Sequence, residues 1–156
     1  MTKKISEEWK WNPKLMLDDD TKAELRNSPL ATAEMIHNVI LTLIPLQINL
    51  GDGTMSWFSA LCLTKDMWDA TNYARLWPEA NHQATDSLLQ DAMSHIAEAH
   101  YMVESMFAWD KFTIPALTNV SNELLTGIGF LRKAYVEVEI YLATCAEGDD
   151  NGHVKS

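Results

Sequence analysis

Hydrophobic positions along this chain recur in alternating steps of three and four residues. The clearest run is Ser121, Leu124, Ile128, Leu131, Tyr135, Val138, Leu142 and Cys145. This spacing is the seam of a helix packed along its length against others. Opened by Thr113 or Pro115 and running over 114–146, such a helix spans about 45 Å at ~1.5 Å per residue. A second seam, Leu89, Ala92, Ile96, Ala99, Val103 and Met106, predicts a helix over 84–109 started by Thr85 or Asp86. Upstream, Ser28-Pro29 supplies a cap and a first-turn proline. Ala33, Ile36, Ile40 and Leu43 then mark one stripe, widened by Met35, Val39 and Ile44. That predicts a helix over 29–49, with Pro45 expected to kink or end it near residue 44.

Residues 54–76 are harder to orient. Thr54 can cap a helix, and Met55, Trp57, Phe58, Leu61, Leu63, Met67, Trp68 and Tyr73 follow with no single apolar face. Burial on several sides is the expectation. Gly51-Asp52-Gly53 before it marks a turn, and Pro78 after it marks a break. A short helix over 20–26 follows Asp18-Asp19-Asp20, whose acids suit the positive end of a helix dipole. The triplet lacks the alternating Asp spacing and closing Glu of a calcium loop. The expected fold is all-α: a four-helix bundle-like single domain over 18–147 with a short extra N-terminal helix. Residues 1–17, including Trp9 and Trp11, read as an irregular arm, and 148–156 as a flexible acidic tail that stops the last helix.

Composition narrows the partners. The chain has 156 residues, 47% of them hydrophobic and 22% charged, with a net charge of -10. An acidic chain of this kind does not suit bare nucleic acid or an anionic membrane, since phosphate contacts need a basic patch. A basic protein surface is the matching partner. The first residues lack a secretory leader, and Val39–Leu50 is too short and too polar to span a bilayer. Cys62 and Cys145 read as buried thiols in a reducing cytoplasm.

Candidate chemistry is sparse. Glu-x-x-His occurs twice, at Glu34/His37 and Glu79/His82. Di-metal carboxylate bundles use two such motifs plus a Glu from each of two other helices, because the spacing puts both ligands on one face. Glu123 and Glu137, off the final seam, are poor donors for the remaining positions. Asp91, His95 and Glu98 share another helix face, as do His100 and Glu104, and imidazole with carboxylate can bind zinc only if a second element contributes. His100 reads as a satisfied histidine at the core edge. Gly-x-Ser-x-Gly, His-Glu-x-x-His, Cys-x-x-Cys and P-loop patterns are missing, so no catalytic residue is assigned. Gly127 and Gly129 flank the final seam at a cost of roughly 1 kcal/mol each, which close approach of a neighbouring helix would offset and a break in the helix would avoid. The six Trp and eight Met could line an apolar ligand pocket or fill the core. The motifs of ferritin-like bundles, phosphotransfer His domains and helix-turn-helix regulators are absent or broken.

One stretch stands out by charge. Between Leu76 and Asp110 there is no Lys or Arg, while Glu79, Asp86, Asp91, Glu98 and Glu104 fall within it. The expected function is therefore a non-enzymatic interaction, regulatory or inhibitor protein acting through an acidic helical surface, with no cofactor. Alternatives are a ligand- or metal-binding bundle, including a di-metal oxidoreductase, and an acidic DNA mimic. The long last seam points to a homodimer.

Overall fold

The computed structural model describes residues 17–51, 56–109 and 113–152, with side chains over 17–50, 56–109 and 113–146. The arm with Trp9 and Trp11, the Gly51-Asp52-Gly53 turn beyond Gly51, and Thr54 lie outside the described residues. The fold is all-α. Its helices are α1 (Asp19–Asn27), α2 (Pro29–Gly51), α3 (Trp57–Ala74), α4 (Leu76–Asn81), α5 (Gln83–Trp109) and α6 (Ile114–Gly152).

Local chemistry sets the helix starts. Asp18 is the N-cap of α1, its side chain accepting from Thr21 N at 2.7 Å. The Thr21 side chain, and then this backbone bond, hold the Asp18 carboxyl below its usual range. Ser28 accepts from Ala31 N at 3.0 Å and Ser56 from Ser59 N at 3.1 Å. Thr113 accepts from Ala116 N at 3.3 Å at the head of α6.

The four long helices form an up-down-up-down bundle. On α2 and α6, Gln47 meets Ser121 while His37 meets Tyr135, so the two run antiparallel. The pairs Phe58–Phe107, Thr64–His100 and Arg75–Asp86 do the same for α3 and α5. His82–Tyr141 and His95–Glu123 do it for α5 and α6. The ring is α2–α3–α5–α6, and diagonal partners do not approach among the described residues. Short α1 and α4 pack on each other at one end. The core runs through the middle, from Ile36, Leu43 and Leu50 to Leu89, Ile96 and Val103, then Leu124, Leu131 and Val138. Burying each such side chain stabilises the fold by roughly 1.5–3 kcal/mol.

Several expectations need correction. Pro45 does not end α2, which continues to Gly51. Leu46 and Leu50 beyond it are buried, and Gln47 bonds Ser121 at 2.8 Å; this packing outweighs the ~3 kcal/mol cost of an internal proline. The break before α4 falls at Arg75, and Pro78 sits inside α4. It is a first-turn residue there, where its missing N–H has no partner to lose. Helix α5 begins at Gln83, so Thr85 and Asp86 are buried first-turn residues. Gly148 does not stop α6, which runs on to Gly152. Cys62 is buried, whereas Cys145 is exposed because α6 has by then passed the start of α5 beside Tyr141.

Helix α3 explains its own lack of a visible face. Its core stripe is small: Ala60, Thr64, Met67, Ala70, Thr71 and Ala74. Thr64 donates to Ala60 O at 2.9 Å and Thr71 to Met67 O at 2.7 Å, so neither hydroxyl is left unpaired in the core. The large residues Leu61, Leu63 and Trp68 flank that stripe, half-buried. The apolar part of α2 also extends beyond Val39–Leu50. Pro29–Leu50 is long and apolar enough to cross a membrane by length and composition alone. In the bundle it is a core helix, with Ile36, Leu43, Leu46 and Leu50 fully enclosed by protein.

Candidate functional site

The two Glu-x-x-His motifs stay apart. Glu34 and His37 are exposed on α2, with the His37 ring 5.6 Å from that of Tyr135. Glu79 and His82 lie at the α4 end, where His82 stacks on Trp77 at 6.1 Å and meets Tyr141 edge-on at 5.5 Å. Among the described residues no three His, Cys, Asp or Glu side chains come together as a metal site. The i, i+3 spacing does put each pair on one face, but for Glu34 and His37 that face points out of the bundle. Asp91, His95 and Glu98 also separate. His95 turns to α6, where its Nδ1 lies 2.8 Å from Glu123 Oε1 and its ring stacks on Phe130. Asp91 and Glu98 remain exposed.

Asp86 leaves the expected acidic surface. It is 5% exposed, accepting from Arg75 Nε at 2.7 Å and from Gln90 Nε2 at 2.7 Å. Donating to Asp86 raises the Arg75 guanidinium above its already high range. Arg75 also reaches Glu79 at 3.4 Å. The base that compensates this stretch therefore sits one residue before it, across the break between α3 and α4.

The α3/α5 face carries a surface groove. Two cavities of about 230 and 290 Å³ meet at Trp68 and Ala97. Lys65, His100 and Tyr101 line the first; Arg75, Gln90, Met93 and Ser94 line the second. Ala97 is small enough to leave the groove open. The Thr64 hydroxyl lies 2.9 Å from His100 Nδ1, with Ala60 O at 2.9 Å and Leu61 O at 3.0 Å also in reach. His100 is thus the satisfied core-edge histidine expected from sequence.

Charge is distributed unevenly across this groove. On the α3 side Lys65 is bound to Asp69 at 2.9 Å and lies 6.0 Å over the Trp68 ring, and Arg75 is bound to Asp86. On the α5 side Asp91, Ser94, Glu98 and Tyr101 form one helical stripe, and Glu104 follows a turn later. These three acids are exposed and make no ion pair among the described residues, and Tyr101 is 59% exposed. Sequence reasoning found the acids but missed Trp68, Ala97 and Tyr101. Nothing in their local spacing distinguishes groove residues from ordinary flanking ones.

Nearby thiol and carboxyl groups are shifted by burial. Burial, with Asp66 as a second cause, pushes the Cys62 thiol up to about 12, which makes it inert. Burial and then Asp69 raise the Asp66 carboxyl to about 6.

The architecture is thus that of an antiparallel helical bundle carrying an aromatic groove beside an acidic ridge. No protein-family model, curated protein or solved structure matches the chain.

Proposed function

We propose that this protein acts by binding, as a regulatory or inhibitor module that docks a basic, amphipathic segment of another protein on its α3/α5 face. The observation that carries this reading is the stripe of exposed Asp91 and Glu98, without an ion pair among the described residues, alternating with Ser94 and exposed Tyr101 along an apolar groove. Apolar side chains of the partner would cover Trp68, Ala97 and Tyr101, and its Lys or Arg residues would pair with Asp91, Glu98 and Glu104. Aromatic anchors ringed by charge are the usual makeup of a binding hot spot. A cytoplasmic setting fits two free thiols, one of them exposed. The spacing favours a basic protein surface over DNA mimicry. Asp91 and Glu98 are about 10 Å apart along the helix, against one charge per ~1.7 Å in duplex DNA.

The test uses a labelled amphipathic helical peptide of Leu and Lys, read by fluorescence anisotropy. Affinity is expected to fall at least about tenfold from 0.05 to 0.5 M salt, as the Debye length drops below ~10 Å. Asp91→Lys with Glu98→Lys should weaken binding far more than Asp20→Lys with Glu24→Lys, an equal charge change on α1. Equal losses from the two pairs would show a general charge effect and reject the groove.

A further inference from the structure

We infer that the opposite face of the bundle, built by α2 and α6, is where two copies of this chain join. Leu30, Leu41 and Ile48 on α2, and Leu125, Val136 and Ile140 on α6, are each at least half exposed. They do not scatter. Leu30, Glu34, His37, Leu41, Ile44 and Ile48 repeat at intervals of four, three, four, three and four, forming a second, mostly apolar seam outside the one that fills the core. The His37–Tyr135 contact places this second seam on the α6 side of α2. On α6, Leu125, Gly129, Arg132, Val136 and Ile140 repeat in the same way. A helix apolar on both sides is normally covered on both sides.

Charge selects the occupant. Glu34 lies between Leu30 and His37 on the α2 stripe and Arg132 lies on the α6 stripe, with Glu139 and Lys133 at its edges, so acids and bases balance here. In a chain of net charge -10, this is a face on which two copies meet without net repulsion. A basic partner would gain little here, since the face carries no excess of acid. An isologous contact places each patch on its own equivalent, so a two-helix face without net charge complements itself. From Leu30 to Ile48 the seam is about 27 Å long, and two adjacent helices are about 20 Å wide. The projected area is on the order of 500 Å². Side-chain relief raises the accessible area toward the roughly 800 Å² per partner of a standard interface.

Gly129 gives an independent indication. A Cβ built there meets nothing within 4 Å, so no neighbour inside the chain requires glycine. Glycine in mid-helix is nevertheless unfavourable. Close approach of a second copy supplies the reason, because Gly129 lies in the middle of the exposed stripe.

The test is the mass of the full chain in solution at micromolar concentration, by sedimentation or light scattering. Twice the 17.6 kDa chain mass is expected. Leu41→Glu with Val136→Glu should return the single-chain mass while keeping helical content and cooperative melting, both positions being already exposed. Gly129→Arg, which has open space within one chain, should weaken association at least about 100-fold and serves if the double variant fails to fold. A single-chain mass for the native protein would overturn the inference, whether another segment of the chain covers the face or it seeks lipid. Flotation with zwitterionic vesicles identifies the lipid case. A dimer that survives both variants would also overturn it. Peptide binding at the α3/α5 groove should persist in these variants, so failure of either proposal is seen separately.

Discussion

The α3/α5 and α2/α6 faces lie on opposite sides of one core and were built differently. Across α3/α5 the side chains are fixed by polar contacts: Arg75 to Asp86, Gln90 to Asp86, His100 to Thr64, Lys65 to Asp69. Its charges without an ion pair among the described residues include the acids Asp91, Glu98 and Glu104 on one rim. Across α2/α6 the polar links among the described residues are few, Gln47 to Ser121 and the His37–Tyr135 ring contact, and the outer side chains are largely aliphatic, with Glu34 and Arg132 among them. A face rich in directed bonds and one-sided charge selects a partner by chemistry. A largely aliphatic face without net charge selects by shape, and the simplest matching shape is itself.

The largest expected effect falls on what both faces share. Leu131 is fully buried in the core cluster. Leu131→Asp should cost more than ~4 kcal/mol and abolish cooperative thermal unfolding, since an unpaired charge would sit among apolar side chains. Unchanged melting would remove the common core and the comparison with it. Next is Arg75→Ala, which leaves Asp86 buried with only Gln90. A loss of about 3 kcal/mol is expected in urea unfolding, and a loss below ~1 kcal/mol would mean that this polar side is not fixed as described.

Smaller changes sharpen the contrast between the two glycines. A Cβ at Gly127 would lie 3.5 Å from Ala92 O, His95 Cβ and Ile96 Cγ1, which is ordinary contact. Close approach of α5 therefore does not demand glycine there, and Gly127→Ala should stabilise by up to ~1 kcal/mol. The smallest effect concerns Asp66. Its folded carboxyl titrates at about 6 against the ordinary 3.8, so the folded state holds the proton more tightly. The stability from this group is present below 3.8 and is lost as pH rises through about 6. Asp66→Asn should raise the melting temperature by roughly 2 °C at neutral pH, with the gain fading on acidification. A gain that does not vary with pH would mean burial does not act on this carboxyl.

The parts of the fold legible in the sequence are those where large aliphatic residues carry the 3.6-residue period. Leu89 to Met106 and Leu124 to Val138 are inward-facing as their spacing implied. Helix α3 was obscure because its inward side is Ala and Thr, while its Trp and Leu residues sit on the flanks. Helix α4 was missed because Pro78 reads as a breaker unless the helix start is already known. The Arg75–Asp86 pair joins residues eleven apart across a change of direction, which no periodic pattern encodes. At the α5 surface the acids were visible, but the groove beside them depends on how α3 and α5 pack. The outer seam of α2 was also present in the letters. It merged with the inner one, because Ile44 and its neighbours simply widen an apolar stripe until the bundle shows which side is covered.

The central claim is that the two opposite faces take different partners independently. Native mass spectrometry of the full chain with the Leu/Lys peptide tests it in one measurement. Two chains carrying two peptides are expected, changing to one chain with one peptide for Leu41→Glu with Val136→Glu. A peptide that splits the dimer, or a double variant that loses the peptide along with its second copy, would contradict it.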